Sequence, residues 1–171
     1  MKNKLVLASF VAMAVSSFAH AAGTDQGHGS VSFTGSIIDA PCSIDPDSVE
    51  QVVPLGEIAS AALEKGGAST PRQFQIKLLN CSVETAKTVT TTFTGAEASS
   101  GRLGIDGTAK GASIAITDGK GDLIKLNQPT DPQTIQDGSN TLEFAAYLQG
   151  DGASIVPGEF HSISNFTLAY Q

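Results

Sequence analysis

The sequence has no tryptophan, two cysteines, three histidines, and ten lysines plus arginines against seventeen acidic residues. Each shortage excludes something. Without tryptophan there can be no antibody-type core packed around that ring, although an Ig-like sandwich of another kind stays open. The few basic residues form no cluster, so the chain lacks the phosphate-neutralising surface that nucleic-acid binding requires. Cys42 and Cys81 have neither CxxC spacing nor a neighbouring histidine, which argues against a redox pair and a zinc site. His28 and His161 stand at no metal-ligand spacing from another ligand. GxSxG is absent, and no glycine-rich loop leads into Lys-Ser or Lys-Thr. DGKGD (118–122) looks faintly like a calcium loop, but its twelfth position is Pro129 rather than glutamate, so a hairpin turn is expected. These gaps argue against an enzyme, and no cofactor or metal is expected.

Long apolar runs are equally scarce: there is one, at the start. In MKNKLVLASFVAMAVSSFAHAA, Lys2 and Lys4 supply a basic region, Leu5 to Phe18 an apolar stretch, and Ala19-His20-Ala21 a small-residue cleavage site. Residues 1–21 therefore read as a secretory signal peptide, with the mature chain starting at Ala22. Removing them deletes two lysines and no carboxylate, so the formal charge becomes 8 − 17 = −9. About 150 residues remain, enough for one domain with a real core. Export to an oxidising compartment makes a Cys42–Cys81 disulfide the default reading. It closes a loop of 39 residues, worth roughly 4 kcal/mol of unfolded-state entropy.

What the sequence has in abundance is period-two alternation, broken at short intervals by Gly, Pro, Asn and Asp. Strands are expected at 31–38, 51–56, 72–80, 87–95, 112–117, 122–126, 141–148 and along the C-terminus, seven to nine in all. Phe74, Ile76 and Leu78 share one face, as do Val89, Thr91 and Phe93. Cys42 and Cys81 could pin the start of one strand to the end of another. EIASAALEK (57–65) is the one helical candidate, with Ile58, Ala61, Ala62 and Lys65 on a shared face before Gly66-Gly67. Many short strands with turns between them indicate an all-β, Ig-like β-sandwich.

The two ends of the mature chain need a further explanation. At the N-terminus, AGTDQGHGSVSF (22–33) places Gly27, Gly29, Val31 and Phe33 on one face, with bare backbone leading into two large side chains. At the C-terminus, PGEFHSISNFTLAYQ (157–171) alternates Phe166, Leu168 and Tyr170 after a break at Gly158. No charge or proline follows Glu159 to blunt an edge. It can be read simply as the last strand of the sandwich, paired on both sides.

GHGSVSFTGSIIDAPCSI (27–44), the second cysteine after the KLLN strand, a glycine fourteenth from the end (Gly158) and a penultimate tyrosine (Tyr170) resemble the major pilus subunits of the chaperone–usher pathway, the P-type and type 1 pilins. The resemblance covers the whole mature chain. It implies an incomplete, six-stranded Ig-like sandwich lacking its seventh strand and completed by donor-strand exchange, a form of β-augmentation. It divides the chain into a signal peptide (1–21), a donor-strand extension (22–34) and a pilin domain (35–171). Gly27, Gly29, Val31 and Phe33 take the donor role. The acceptor groove and chaperone-binding strand fall on Phe160 through Tyr170, with Gly158, Phe160, Phe166, Leu168, Tyr170 and Gln171 as its marked positions.

The partners implied are neighbouring copies of the subunit, a periplasmic chaperone, an outer-membrane usher and other pilus subunits. The location implied is the cell-surface fimbrium, reached through the periplasm. A structural rod subunit supporting adhesion is the reading; an adhesive stalk or minor adaptor that binds a host receptor is the alternative.

Overall fold

The computed structural model describes residues 27–171, so the signal peptide and residues 22–26 lie outside the described residues. The described residues fall into two units, 27–37 and Ile38–Gln171. The division falls three residues beyond the 34/35 boundary expected from sequence.

In the first unit no regular structure forms, and the strand expected at 31–38 is absent. Alternation gives a segment the side-chain pattern of a strand, but a strand exists only where its backbone finds a partner. Val31, Phe33 and Ile37 are 77%, 92% and 104% exposed.

The second unit carries, in chain order, β1 (Ser43–Ile44), the single-turn helices α1 (Pro46–Val49) and α2 (Ser60–Leu63), β2 (Arg72–Cys81), β3 (Thr88–Gly95), β4 (Asp106–Gly107), β5 (Ala112–Asp118), β6 (Leu123–Ile124), β7 (Gln133–Thr134), β8 (Gly138–Gly150), β9 (Phe160–His161) and β10 (Ser164–Tyr170). They form a five-stranded sheet ordered β1-β2-β8-β5-β6, a three-stranded sheet ordered β10-β3-β7, and a two-stranded β4-β9 ladder, all antiparallel. The two larger sheets pack as an open sandwich. Four phenylalanines join them: Phe93 of β3 meets Phe144 of β8 edge-on at 5.1 Å and Phe74 of β2 at 6.2 Å, and it touches Phe166 of β10 at 6.5 Å. Around these rings Ile76, Leu78, Val89, Leu142 and Leu148 are buried, each on the inner face that alternation assigns.

The long strands follow the sequence closely, and Cys42, just before β1, is disulfide-bonded to Cys81, the last residue of β2. That bond anchors a β1 only two residues long. Beyond β1, the outer edge of β2 is satisfied by other groups. Asp45 N–H donates to the Lys77 carbonyl, Lys77 N–H donates to the buried Ser48 Oγ, and Gln51 Nε2 donates to the Gln75 carbonyl. This side-chain cover explains why 51–56, expected as a strand, forms none.

The helical candidate shrinks to α2 followed by a 3-10 turn at Glu64–Gly66, and Lys65 breaks the helix at φ 56°. Its buried residue is Leu63, whereas Ala61, Ala62 and Lys65 are exposed, because one turn cannot develop the face a longer helix would. DGKGD makes the β5–β6 hairpin. The Asp118 carboxylate accepts from the Lys120 and Asp122 amides, both at 2.9 Å, and so organises the turn.

Candidate functional site

β3 is covered on both sides. One side pairs with β10 over seven residues. The other is met by β7 and by the 127–130 stretch, where Asn127 N–H donates to the Phe93 carbonyl and Thr130 N–H to that of Thr91. Among the described residues β10 pairs with β3 alone, so it is the edge of its sheet. Its register pairs Tyr170 with Val89, and one step further Gln171 and Thr88 exchange both backbone hydrogen bonds at 2.9 Å.

Antiparallel ladders alternate, so Asn165, Thr167 and Ala169 also bond toward β3. Ser164, Phe166, Leu168 and Tyr170 therefore direct their N–H and C=O groups to the unpaired side. The same alternation half-buries Phe166, Leu168 and Tyr170 against the core. The edge thus offers backbone hydrogen bonds at the residues whose side chains line the interior, which is the arrangement an added strand would use. Partial burial raises the Tyr170 pKa above its ordinary value by desolvating the phenolate.

Upstream, the edge differs from the single run expected over Phe160–Tyr170: β9 pairs with β4, and residues 162–163 separate it from β10. Residues 156–161 are clasped by 106–110. Lys110 and Val156 exchange backbone hydrogen bonds, and the Glu159 carbonyl accepts from the amides of Thr108 and Ala109 at 3.0 and 3.1 Å. Gly158 sits inside this clasp. A Cβ there would lie 2.7 Å from Ala109 N and 2.8 Å from the Thr108 carbonyl carbon, so glycine is required by space rather than by backbone conformation. A cavity of about 690 Å³ is lined by the 51–58 segment and the 155–163 wall, together with Leu63, Ile114 and Leu148. Its lining ends at Ile163, just before β10 begins, and mixes apolar side chains with Gln51, Glu57, Glu159 and His161.

At the other end of the chain, Gly27, Gly29, Val31 and Phe33 lie in the unstructured 27–37 unit. Two further residues continue their period and were not singled out from sequence: Gly35, where a Cβ would meet nothing within 4 Å, and Ile37, the most exposed large apolar residue among the described residues. The signal was present, since GSII carries the alternation on past Phe33. What hid it was the expectation that a domain strand began there. Among the described residues no group of three or more His, Cys, Asp or Glu could hold a metal ion, and no helix is long and apolar enough to cross a membrane.

The family model described as Fimbrial protein matches residues 31–171, from the exposed N-terminal stretch to the last residue beyond the open edge. The chain belongs to the fimbrial protein family. Fimbria A protein of Serratia marcescens is 60% identical to this fimbrial chain over 99% of its length and 98% of the relative's. The Major MR/P fimbria protein of Proteus mirabilis is 53% identical over the same shares. In a solved chaperone–usher pilus structure concerned with rod uncoiling, the matching chain superposes with a TM-score of 0.78 at 31% identity, covering 85% of this chain and 97% of that one. The fold is therefore that of a chaperone–usher pilin, an incomplete sandwich.

Proposed function

We infer that residues 27–37 of one copy form the strand that fills the groove of the next. The single observation carrying this is the pairing of an edge whose inward residues offer unpaired backbone with an exposed, strand-patterned segment in the same chain. The chain is a structural subunit of a bacterial surface fimbria, exported through the periplasm and polymerised with other subunits into the rod. Some of its relatives, such as the Major MR/P fimbria protein of Proteus mirabilis, are named as major subunits, which favours the rod over an adhesive stalk or adaptor. A donor given by one surface and accepted by another is a heterologous contact, and such contacts build filaments when they do not close.

The chemistry of the two partners favours one direction. Six alternate positions, Gly27 to Ile37, face six, Phe160 to Tyr170. An antiparallel donor sets Ile37 beside Phe160, at the cavity that Leu55, Ile58 and Ile155 also line. It leaves Gly27 and Gly29 beside Tyr170. A parallel donor would set glycine at that cavity and strand Ile37 at the carboxyl end.

Burying Val31, Phe33 and Ile37 contributes about 5 to 9 kcal/mol together, since each is almost fully exposed beforehand. Each hydrogen bond along β10 adds about 1 kcal/mol. The test compares wild type, Phe33→Ser and Ile37→Ser. Both substitutions should leave the chaperone-bound monomer's melting unchanged and lower the temperature at which fibres dissociate in detergent. Fibres as resistant as wild type from both variants, or end-to-end polymerisation by a chain lacking residues 22–33, would sink the assignment.

A further inference from the structure

The 690 Å³ cavity is lined in part by a wall, 155–163, whose backbone clasp comes from 106–110, and that stretch itself lies between Leu103 and β5. Three side chains outside the groove tie these segments together. Arg102 Nε donates to Ser113 Oγ at 2.7 Å and its Nη2 to Asp151 Oδ1 at 2.8 Å, while Ser113 Oγ donates to the same carboxylate oxygen at 2.6 Å. The triangle is closed, with every member bonded to both others. Ser113 is fully buried, and the side chains of Arg102 and Asp151 are only 11% and 21% exposed.

Each corner connects, through the chain or a backbone hydrogen bond, to a residue of the groove lining. Arg102 precedes Leu103, whose backbone exchanges both hydrogen bonds with Ile114, and Ser113 precedes Ile114, a residue of the groove lining. Asp151 opens the run leading to Ile155, with its N–H donating to the Gly111 carbonyl at 2.9 Å. A charge largely shielded from water is costly unless every partner is in place, so losing one corner loosens all three segments together.

We propose that Arg102 is a positioning residue for strand uptake: by holding Ser113 and Asp151 it fixes the starts of the segments that lead to Ile114 and Ile155 of the lining, so that the pocket receiving Ile37 is formed before the donor arrives. This rests on the donor assignment above. A pocket open in only a fraction of subunits admits its ligand more slowly in proportion to that fraction.

The experiment uses the mature subunit bound to its periplasmic chaperone, mixed with a synthetic peptide of residues 27–38 or with the same peptide carrying Ile37→Ser. Uptake is followed over time by mass spectrometry. On the wild-type subunit the native peptide should enter faster. Arg102→Gln should slow the native peptide about tenfold, toward the rate of the Ile37→Ser peptide, and leave the rate of that second peptide unchanged. Arg102→Lys keeps one charge-assisted bond, serves if the glutamine variant does not accumulate, and should give an intermediate rate. Equal slowing of both peptides marks a general structural role and overturns the proposal, as does no slowing of either. Equal entry of both peptides into the wild-type subunit refutes the Ile37 assignment itself, and this proposal with it.

Discussion

Thr91 lies in the middle of β3 with a fully buried side chain, and its hydroxyl has no hydrogen-bond partner. Its backbone is satisfied: the N–H donates to Thr130 Oγ1 at 3.0 Å and the carbonyl accepts from Thr130 N at 2.9 Å. The side chain faces inward with Val89 and Phe93, opposite Leu168. Valine would keep the branched shape and the strand preference while replacing the orphaned hydroxyl with a methyl group. An unpaired buried hydroxyl costs about 1 to 3 kcal/mol. Thr91→Val should therefore stabilise the subunit by that amount and raise its melting temperature by several degrees.

Denaturant unfolding of the purified mature chain reads this directly, as a higher midpoint at unchanged slope. Thr90→Val is the control. Thr90 belongs to the opposite face and makes a long 3.5 Å contact with the Ala169 carbonyl, so its replacement should change stability by less than about 1 kcal/mol. A Thr91→Val midpoint equal to or below wild type would show the hydroxyl to be paired in solution and refute the reasoning.

Three other outcomes are expected. Gly158→Ala should destabilise the groove wall by about 1 to 3 kcal/mol, because the new methyl meets backbone of Thr108 and Ala109 that cannot rotate away; hydrogen exchange at residues 156–161 would report it, and unchanged protection there would contradict it. Reducing the Cys42–Cys81 bond should cost roughly 4 kcal/mol, visible as a lower melting temperature under reductant, and an unchanged value would show the bond unimportant. The Tyr170 pKa is raised in the folded chain, so its contribution to stability is fully present below the ordinary tyrosine value near 10 and is lost as pH rises through the raised one. Tyr170→Phe should remove that alkaline slope from a pH series of unfolding midpoints, and a slope unchanged in the variant would assign it elsewhere.

Much of the fold was legible because alternation and burial have the same cause. Ile76, Leu78, Val89 and Phe93 fall on the inner faces that their spacing implies, and the Asp118 hairpin follows from local turn chemistry. Other features were not legible, because a strand is a relation between segments. VSFTGSII and QVVPLG carry strand patterns, yet neither forms one: no described segment pairs with the first, and side chains of Ser48 and Gln51 already occupy the β2 edge beside the second. The same gap concealed Ile37, whose exposure is what sets it apart from a core residue of identical chemistry. The Arg102–Ser113–Asp151 triangle left no trace in sequence either, since its members lie 11 to 49 positions apart.

By itself, then, the sequence determined the class of fold, the export route, the disulfide and the two patterned ends, all of which follow from local composition and period. Only the tertiary structure decided that β10 has one neighbour rather than two, that its unpaired backbone belongs to its inward-facing residues, and that Gly158 is fixed by contact with Thr108 and Ala109. Hydrogen-bond partners and steric space at these places come from residues 49 to 81 positions away, and no local pattern encodes which of them will arrive.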